Sequence, residues 1–270
     1  MNILYLTSLA KVLLCATILS LASFEDWRTR EVRDLLWILM GTTCGVLTVV
    51  EILMSHSFER IIIAAMSAGV CLAAGILLYY AGFFGGADAK CLWCLGVALP
   101  YNPMEYLGFS TPGAQSPIFS LSIFNNSILT AAALAFGIAC FNLARRLRGP
   151  LFSEGEEGSV FKRVVVLLLG YKMSISRALR KRNFYFLLEE LRMRNGGVDR
   201  RFRLFTRCSD DSLYPTLEEM VKRGIVREDG GIWVSPAVPL IVNMTIGLVI
   251  ALLYGDLIMS IAKELLRSIL

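Results

Sequence analysis

The chain has a single histidine, His56, and charged residues make up only 18% of its 270 positions. One histidine excludes a zinc peptidase of the His-Glu-x-x-His kind, which needs two imidazoles on one helix face. No Gly-x-Ser-x-Gly turn is present and His56 has no nucleophilic serine in view, which excludes the serine–histidine hydrolases. No glycine-rich phosphate loop follows a strand-like run. Of the seven cysteines, Cys15, Cys44, Cys71, Cys91, Cys94 and Cys140 lie in apolar runs, where free thiols pack as small hydrophobes; Cys208 stands apart. No disulfide framework is implied. Cys91-x-x-Cys94 has no second pair and reads as packed thiols rather than a metal or redox centre. Neither a metal nor a cofactor is expected.

What remains is apolar. Hydrophobic residues make up 56% of the chain and the mean hydropathy is +0.61, the signature of a polytopic membrane protein. Five runs, 3–24, 35–54, 61–83, 122–143 and 238–261, approach the ~20 residues that a helix needs to cross hydrocarbon. A weaker run, 89–99, is followed by Pro100 and Pro103 and is too short alone at ~1.5 Å per residue. The orientation rule requires it as a sixth span. Residues 1–21 lack a basic start and a small-residue cleavage site, so they read as a retained helix rather than a signal peptide. Arg28, Arg30 and Arg33 follow the first run, Lys90 the third, and Arg145, Arg146 and Arg148 the fifth, whereas no Lys or Arg occurs between Cys91 and Leu143. That bias places the three clusters in the cytoplasm, and the N-terminus, His56 and the 101–121 loop outside.

Residues 145–233 hold 19 of the 27 Lys and Arg but only 12 of the 22 Asp and Glu, marking a basic insertion before the last span. The expected fold is therefore α-helical and polytopic, with six transmembrane helices and a small cytoplasmic α+β domain. Its parts are 1–144 (five helices), 145–235 (the basic domain) and 236–270 (the last helix). Within the domain, 153–158 reads as a flexible entry. The apolar core 164–171 suits a helix on the membrane surface or packed under the domain. Residues 214–223 read as a short helix stopped by Gly224, and 225–234, with Asp229-Gly230-Gly231, as a hairpin. The cluster Arg177, Arg180, Lys181 and Arg182 fits anionic lipid headgroups; a nucleic-acid partner is not expected.

Two carboxylates stand at the cytoplasmic rims of these runs: Asp26 in Ser23-Phe24-Glu25-Asp26-Trp27-Arg28, and Asp88 in Gly85-Gly86-Ala87-Asp88-Ala89-Lys90. An ionisable group at the edge of hydrocarbon is costly and marks a functional site. Two brought close share one proton, because both cannot ionise side by side. That is the equipment of an aspartic protease. A plainer reading stands beside each: an interfacial acid pair among arginines for Glu25 and Asp26, and a helix N-cap for Asp88. Gly85 and Gly86 permit close backbone approach before Asp88. Pro236 and Pro239 cannot donate backbone hydrogen bonds; they mark either a simple helix start or a distorted segment able to pair with an extended substrate.

These residues resemble the archaeal preflagellin and type IV prepilin-like peptidases of the Gly-x-Gly-Asp aspartyl class. The resemblance rests on Asp26-Trp27-Arg28-Thr29-Arg30-Glu31-Val32 with Trp37, on Gly85-Gly86-Ala87-Asp88, and on Pro236-Ala237-Val238-Pro239 with Gly247 and Tyr254-Gly255. Ala87 departs from the bacterial motif, which has glycine there. Absence of paired Cys-x-x-Cys motifs implies no methyltransferase activity. The resemblance implies that Asp26 and Asp88 are catalytic and that the substrates are preflagellins or pilin-like precursors with a short basic leader. Glu25, Glu31 and Asp34 are the acids near the pair available to that leader. A presenilin-like intramembrane protease is the rival enzyme, although its first aspartate normally follows tyrosine. An ion- or proton-coupled transporter is the non-enzymatic alternative, although no inverted repeat is evident.

Overall fold

In hydrocarbon the backbone finds no partners outside its own segment, so long apolar runs fold as helices. The computed structural model describes residues 3–147, 149–152, 156–157, 159–194, 197–203 and 213–269. Cys208 and most of the expected entry segment 153–158 lie outside them. The helices are α1 (Ile3–Thr29), α2 (Asp34–Ser55), α3 (Phe58–Tyr80), α4 (Gly86–Ala98), α5 (Met104–Leu107), α6 (Phe119–Arg146), α7 (Val160–Leu169), α8 (Ile175–Arg180), α9 (Leu213–Lys222), α10 (Leu240–Leu253) and α11 (Leu257–Ile269). The strands are β1 (Glu156–Glu157), β2 (Tyr171–Ser174), β3 (Tyr185–Leu187), β4 (Glu189–Arg194), β5 (Gly197–Phe202) and β6 (Gly231–Pro236). Two compact units result, Met1–Ala131 with Pro239–Leu270, and Ala132–Val238.

In the first unit α1, α2 and α3 are long and apolar enough to cross a membrane, as is α6, which runs on into the second; α10 with α11 forms a fifth candidate as a pair bent by 55°. The run expected as a weak sixth span is α4, whose 13 residues give ~20 Å, short of the ~30 Å of hydrocarbon. The run expected as one last helix over 238–261 instead breaks after α10. Gly255 adopts φ 114°, Asp256 N–H donates to the Ala114 carbonyl at 2.9 Å, and the Asp256 carboxylate accepts Met259 N–H at 3.0 Å to start α11.

The short α4 is the centre of this unit. Its Cys91, Leu92, Leu95 and Ala98 are fully buried, with α1, α2, α3 and α10 packed around them. Its last carbonyls end among other helices and need donors. Ser67 Oγ donates to the Gly96 carbonyl at 2.7 Å, and Thr48 Oγ1 reaches those of Val97 and Ala98 at 3.1 and 3.3 Å. Behind Thr48 lies a buried ion pair: Lys11 Nζ meets Thr48 Oγ1 at 3.3 Å and Glu51 Oε2 at 2.5 Å, and Ser8 Oγ donates to Glu51 Oε1 at 2.9 Å.

Close approach of α3 and α4 depends on Gly96. A Cβ there would stand 2.6 Å from Cys71 Cβ and 3.0 Å from the Ser67 carbonyl oxygen, neither of which can swing aside. Gly96→Ala should therefore cost ~1–3 kcal/mol, read as a lower melting temperature in detergent. Gly69→Ala, on α3 with nothing within 4 Å of its Cβ, should be neutral or stabilising.

The second unit carries two three-stranded sheets, β2-β6-β3 and β1-β5-β4. The hairpin expected over 225–234 does not form. Ile232, Trp233 and Val234 are buried on both faces, so β6 lies mid-sheet, antiparallel to β2 and β3, which come from far earlier in the chain. The apolar core 164–171 divides at Gly170, where a Cβ would meet the Val234 carbonyl oxygen at 2.3 Å; helix α7 precedes it and strand β2 follows. Helix α9 buries Tyr214, Leu217 and Met220 along one face, and Gly224 follows with φ 70°.

Candidate active site

The last turns of α1 build one side of the site. Ala22 and Asp26 face inward and are buried, while Phe24 and Trp27 point outward, as a helical period of 3.6 requires. Ser23 fixes this turn against α10: its hydroxyl lies 2.7 Å from Thr245 Oγ1 and 3.4 Å from the Ile241 carbonyl. The first turn of α10, entered through Pro239, therefore sits beside the turn that presents Asp26. Pro236 closes β6, paired with Tyr185, in the second unit.

The helix stops at Arg30, whose N–H bonds to the Asp26 carbonyl at 3.1 Å and whose φ is 63°. For a residue other than glycine that left-handed conformation costs roughly 1–2 kcal/mol. Its guanidinium returns to the Asp26 carboxylate, Nη1 to Oδ1 3.8 Å. Asp26 Oδ2 is buried without a hydrogen-bond partner.

The other side is the N-terminus of α4. Helix α3 unwinds through Gly82 (φ 82°), and Phe84 anchors the connection, 7% exposed and edge-on to Phe124. Gly85 N–H then donates to Asp88 Oδ2 at 2.9 Å. A Cβ on Gly85 would lie 3.3 Å from that oxygen, so glycine lets the carboxylate fold back onto the chain. Gly86 opens the helix, and Ala87 packs against the core. Asp88 is therefore not the N-cap of its plainer reading: Gly85 holds that place, and Asp88, three residues on in the first turn, accepts the Gly85 N–H with Oδ2 while lying within electrostatic range of Asp26.

The three nearby acids are differently placed. Glu25 takes the Arg33 backbone N–H at 3.1 Å and Arg33 Nε at 2.6 Å, pinning the α1–α2 turn. Asp34 accepts Lys90 Nζ at 2.6 Å, joining the start of α2 to that of α4. Glu31 is exposed and lines, with Leu21, Phe24 and Val32, an open groove of about 800 Å³ beside the end of α1. Of the cysteine pair, Cys91 is buried and Cys94 Sγ donates to the Trp37 carbonyl at 3.3 Å. Sequence reasoning missed the return of the Arg30 guanidinium to Asp26 and the turn at Gly82; the only sequence signal for either was a basic residue and a glycine just past a helical run.

A pair of carboxylates in mutual range, one with an unpartnered oxygen, can hold one proton between them and present both a base and an acid to a peptide bond. The Type IV leader peptidase family matches residues 13–139, which include both aspartates, and the archaeal peptidase A24 C-terminus type II matches residues 162–257. The chain is similar to the preflagellin peptidase of Methanococcus maripaludis, 27% identical over 248 residues, which is 90% of this chain and 94% of the relative. Preflagellin peptidases of Methanococcus voltae and Methanocaldococcus jannaschii are 24% and 25% identical over 246 residues, 90% of this chain and 94% and 93% of theirs. Matched by leader-peptidase models over residues 13–139 and 162–257 and by preflagellin peptidases over 90% of its length, the chain belongs to the type IV leader peptidase family.

Proposed function

We propose that the chain is a membrane aspartyl endopeptidase that removes the basic leader of preflagellin or pilin-like precursors, with Asp26 and Asp88 as its catalytic pair. The observation that carries this is a carboxylate at the end of α1 and another in the first turn of α4, near enough for the charge of one to act on the other. The ionised member takes a proton from water, and the protonated member polarises the scissile carbonyl and later protonates the amine. The pair titrates as a unit, so neither role belongs to one named residue. A helical peptide bond is shielded by its own hydrogen bonds, so the substrate must unwind at the cleavage site. Gly85, Gly86, Ala87 and Pro239 serve to position catalytic groups or substrate. No transporter or presenilin-like reading is favoured by any feature of the site.

The Lys and Arg distribution supports an N-terminus outside and an active site at the cytoplasmic edge, with α4 as a short sixth span. Lipid contact is supported by α7. Its Val160, Phe161, Val164 and Leu168 are exposed, and Asn142, one turn before Arg145 and Arg146, donates to the Leu167 and Gly170 carbonyls at 2.8 and 2.6 Å. An exposed apolar face on α7 close to Arg145 and Arg146 suits a helix lying at the membrane surface, where those cations would meet anionic headgroups.

Co-expression with a preflagellin-type precursor should give a leader-sized shift in mobility. An unshifted precursor, with the protein present in membranes, would contradict the proposal. Glu25 and Asp34 already hold cations, so among the three acids Glu31 is the one placed to meet a basic leader. Glu31→Gln should reduce the advantage of a basic over a neutral leader by about two- to fivefold, the scale of one exposed ion pair.

A further inference from the structure

Among the described residues only Arg30 and His56 have positive φ without being glycine, and Arg30 stands against the catalytic pair. At the position just past a helix, glycine takes the left-handed conformation without strain. A strained residue persists where the surroundings over-determine it, and such residues gather at functional sites. Here the strain has a visible consequence. The left-handed turn sends the Arg30 side chain back along α1, so its guanidinium lies 3.8 Å from Asp26 Oδ1, with the side chain only 17% exposed.

The contact differs in kind from that of Glu25 one residue earlier, whose carboxylate is consumed by hydrogen bonds from Arg33. At 3.8 Å Arg30 makes an ionic contact and not a hydrogen bond. It holds the charge of Asp26 while leaving its oxygens free to accept a proton or orient a water.

We infer that Arg30 is a positioning residue for the aspartyl pair: folded back by its left-handed turn, its cation fixes the Asp26 carboxylate and balances the negative charge that the two acids share. This rests on the dyad assigned under the proposed function. A purely structural role, capping α1, would be served better by glycine.

The test uses the purified full chain reconstituted in liposomes, with a preflagellin-type precursor as substrate. Arg30→Gly removes the strain together with the cation, so its melting temperature should equal or exceed that of the unmodified protein. Its kcat should fall roughly ten- to a hundredfold, the scale of a misplaced catalytic group. KM should stay within about twofold, since the loss lies in the chemical step. Arg30→Lys, which keeps the charge, should recover a large part of kcat. Full kcat in Arg30→Gly, a loss expressed in KM instead, or an Arg30→Lys no better than Arg30→Gly would each overturn the inference. Asp26→Asn and Asp88→Asn are assayed alongside. If they are inactive while Arg30→Gly is fully active, only the role of Arg30 falls; if they remain active, the dyad itself falls.

Discussion

Asp26→Asn and Asp88→Asn should each abolish leader cleavage while the protein still accumulates in membranes. Asparagine keeps the shape of the side chain and removes its capacity to hold or take a proton. The loss should reach at least the ~10²–10⁴-fold that a positioned acid or base contributes. A pair that works as one group predicts that the double variant loses little more than either single one. Accumulation should hold, because Asp26 is held by one long ionic contact and an amide at position 88 still offers an oxygen to Gly85 N–H. Glu25→Gln should cost far less: neighbours on a helix point about 100° apart, and Glu25 faces Arg33.

The second large effect is on stability. Lys11 and Glu51 lie inside apolar runs, their side chains 2% and 0% exposed. Lys11→Met would leave Glu51 buried without its cation and Thr48 without the donor behind it. Breaking one partner of a buried pair costs ~3–5 kcal/mol, whereas replacing both by apolar residues is often neutral. Lys11→Met should therefore lower the melting temperature in detergent sharply, and Lys11→Met with Glu51→Leu should recover most of it. A double variant as unstable as the single one would show that the polar cap on α4, rather than charge pairing, is what the network supplies.

The contrast between these two predictions shows what was legible in the sequence. Asp26 and Asp88 stood out because each interrupts an apolar run at its rim, beside a glycine or arginine signal that survives in one dimension. Lys11 and Glu51 interrupt such runs too, but nothing along the chain links residues 40 positions apart; only the packing of α1 on α2 makes them a pair. Helix existence followed from composition, since hydrocarbon leaves the backbone no other choice. Helix length did not. The shortness of α4 and the break at Gly255 depend on hydrogen-bond partners from other elements, the donors Ser67 and Thr48 and the accepting Ala114 carbonyl, which no local pattern announces. Likewise Ile225 to Val234 has the turn residues of a hairpin, yet burial on both faces makes β6 a central strand. Arg30 was visible only as positive charge; its left-handed turn is a property of the folded chain.

The central claim is that Asp26 and Asp88 act as one proton-sharing pair. The pH dependence of kcat/KM for precursor cleavage by the purified, reconstituted protein tests it most directly. At low pH both carboxylates are protonated and no base remains; at high pH both are ionised and no acid remains. A bell-shaped profile is therefore expected, with two limbs that belong to the pair and not to either residue. A rate that climbs with pH and never turns down, or one that is flat across the range, would contradict it.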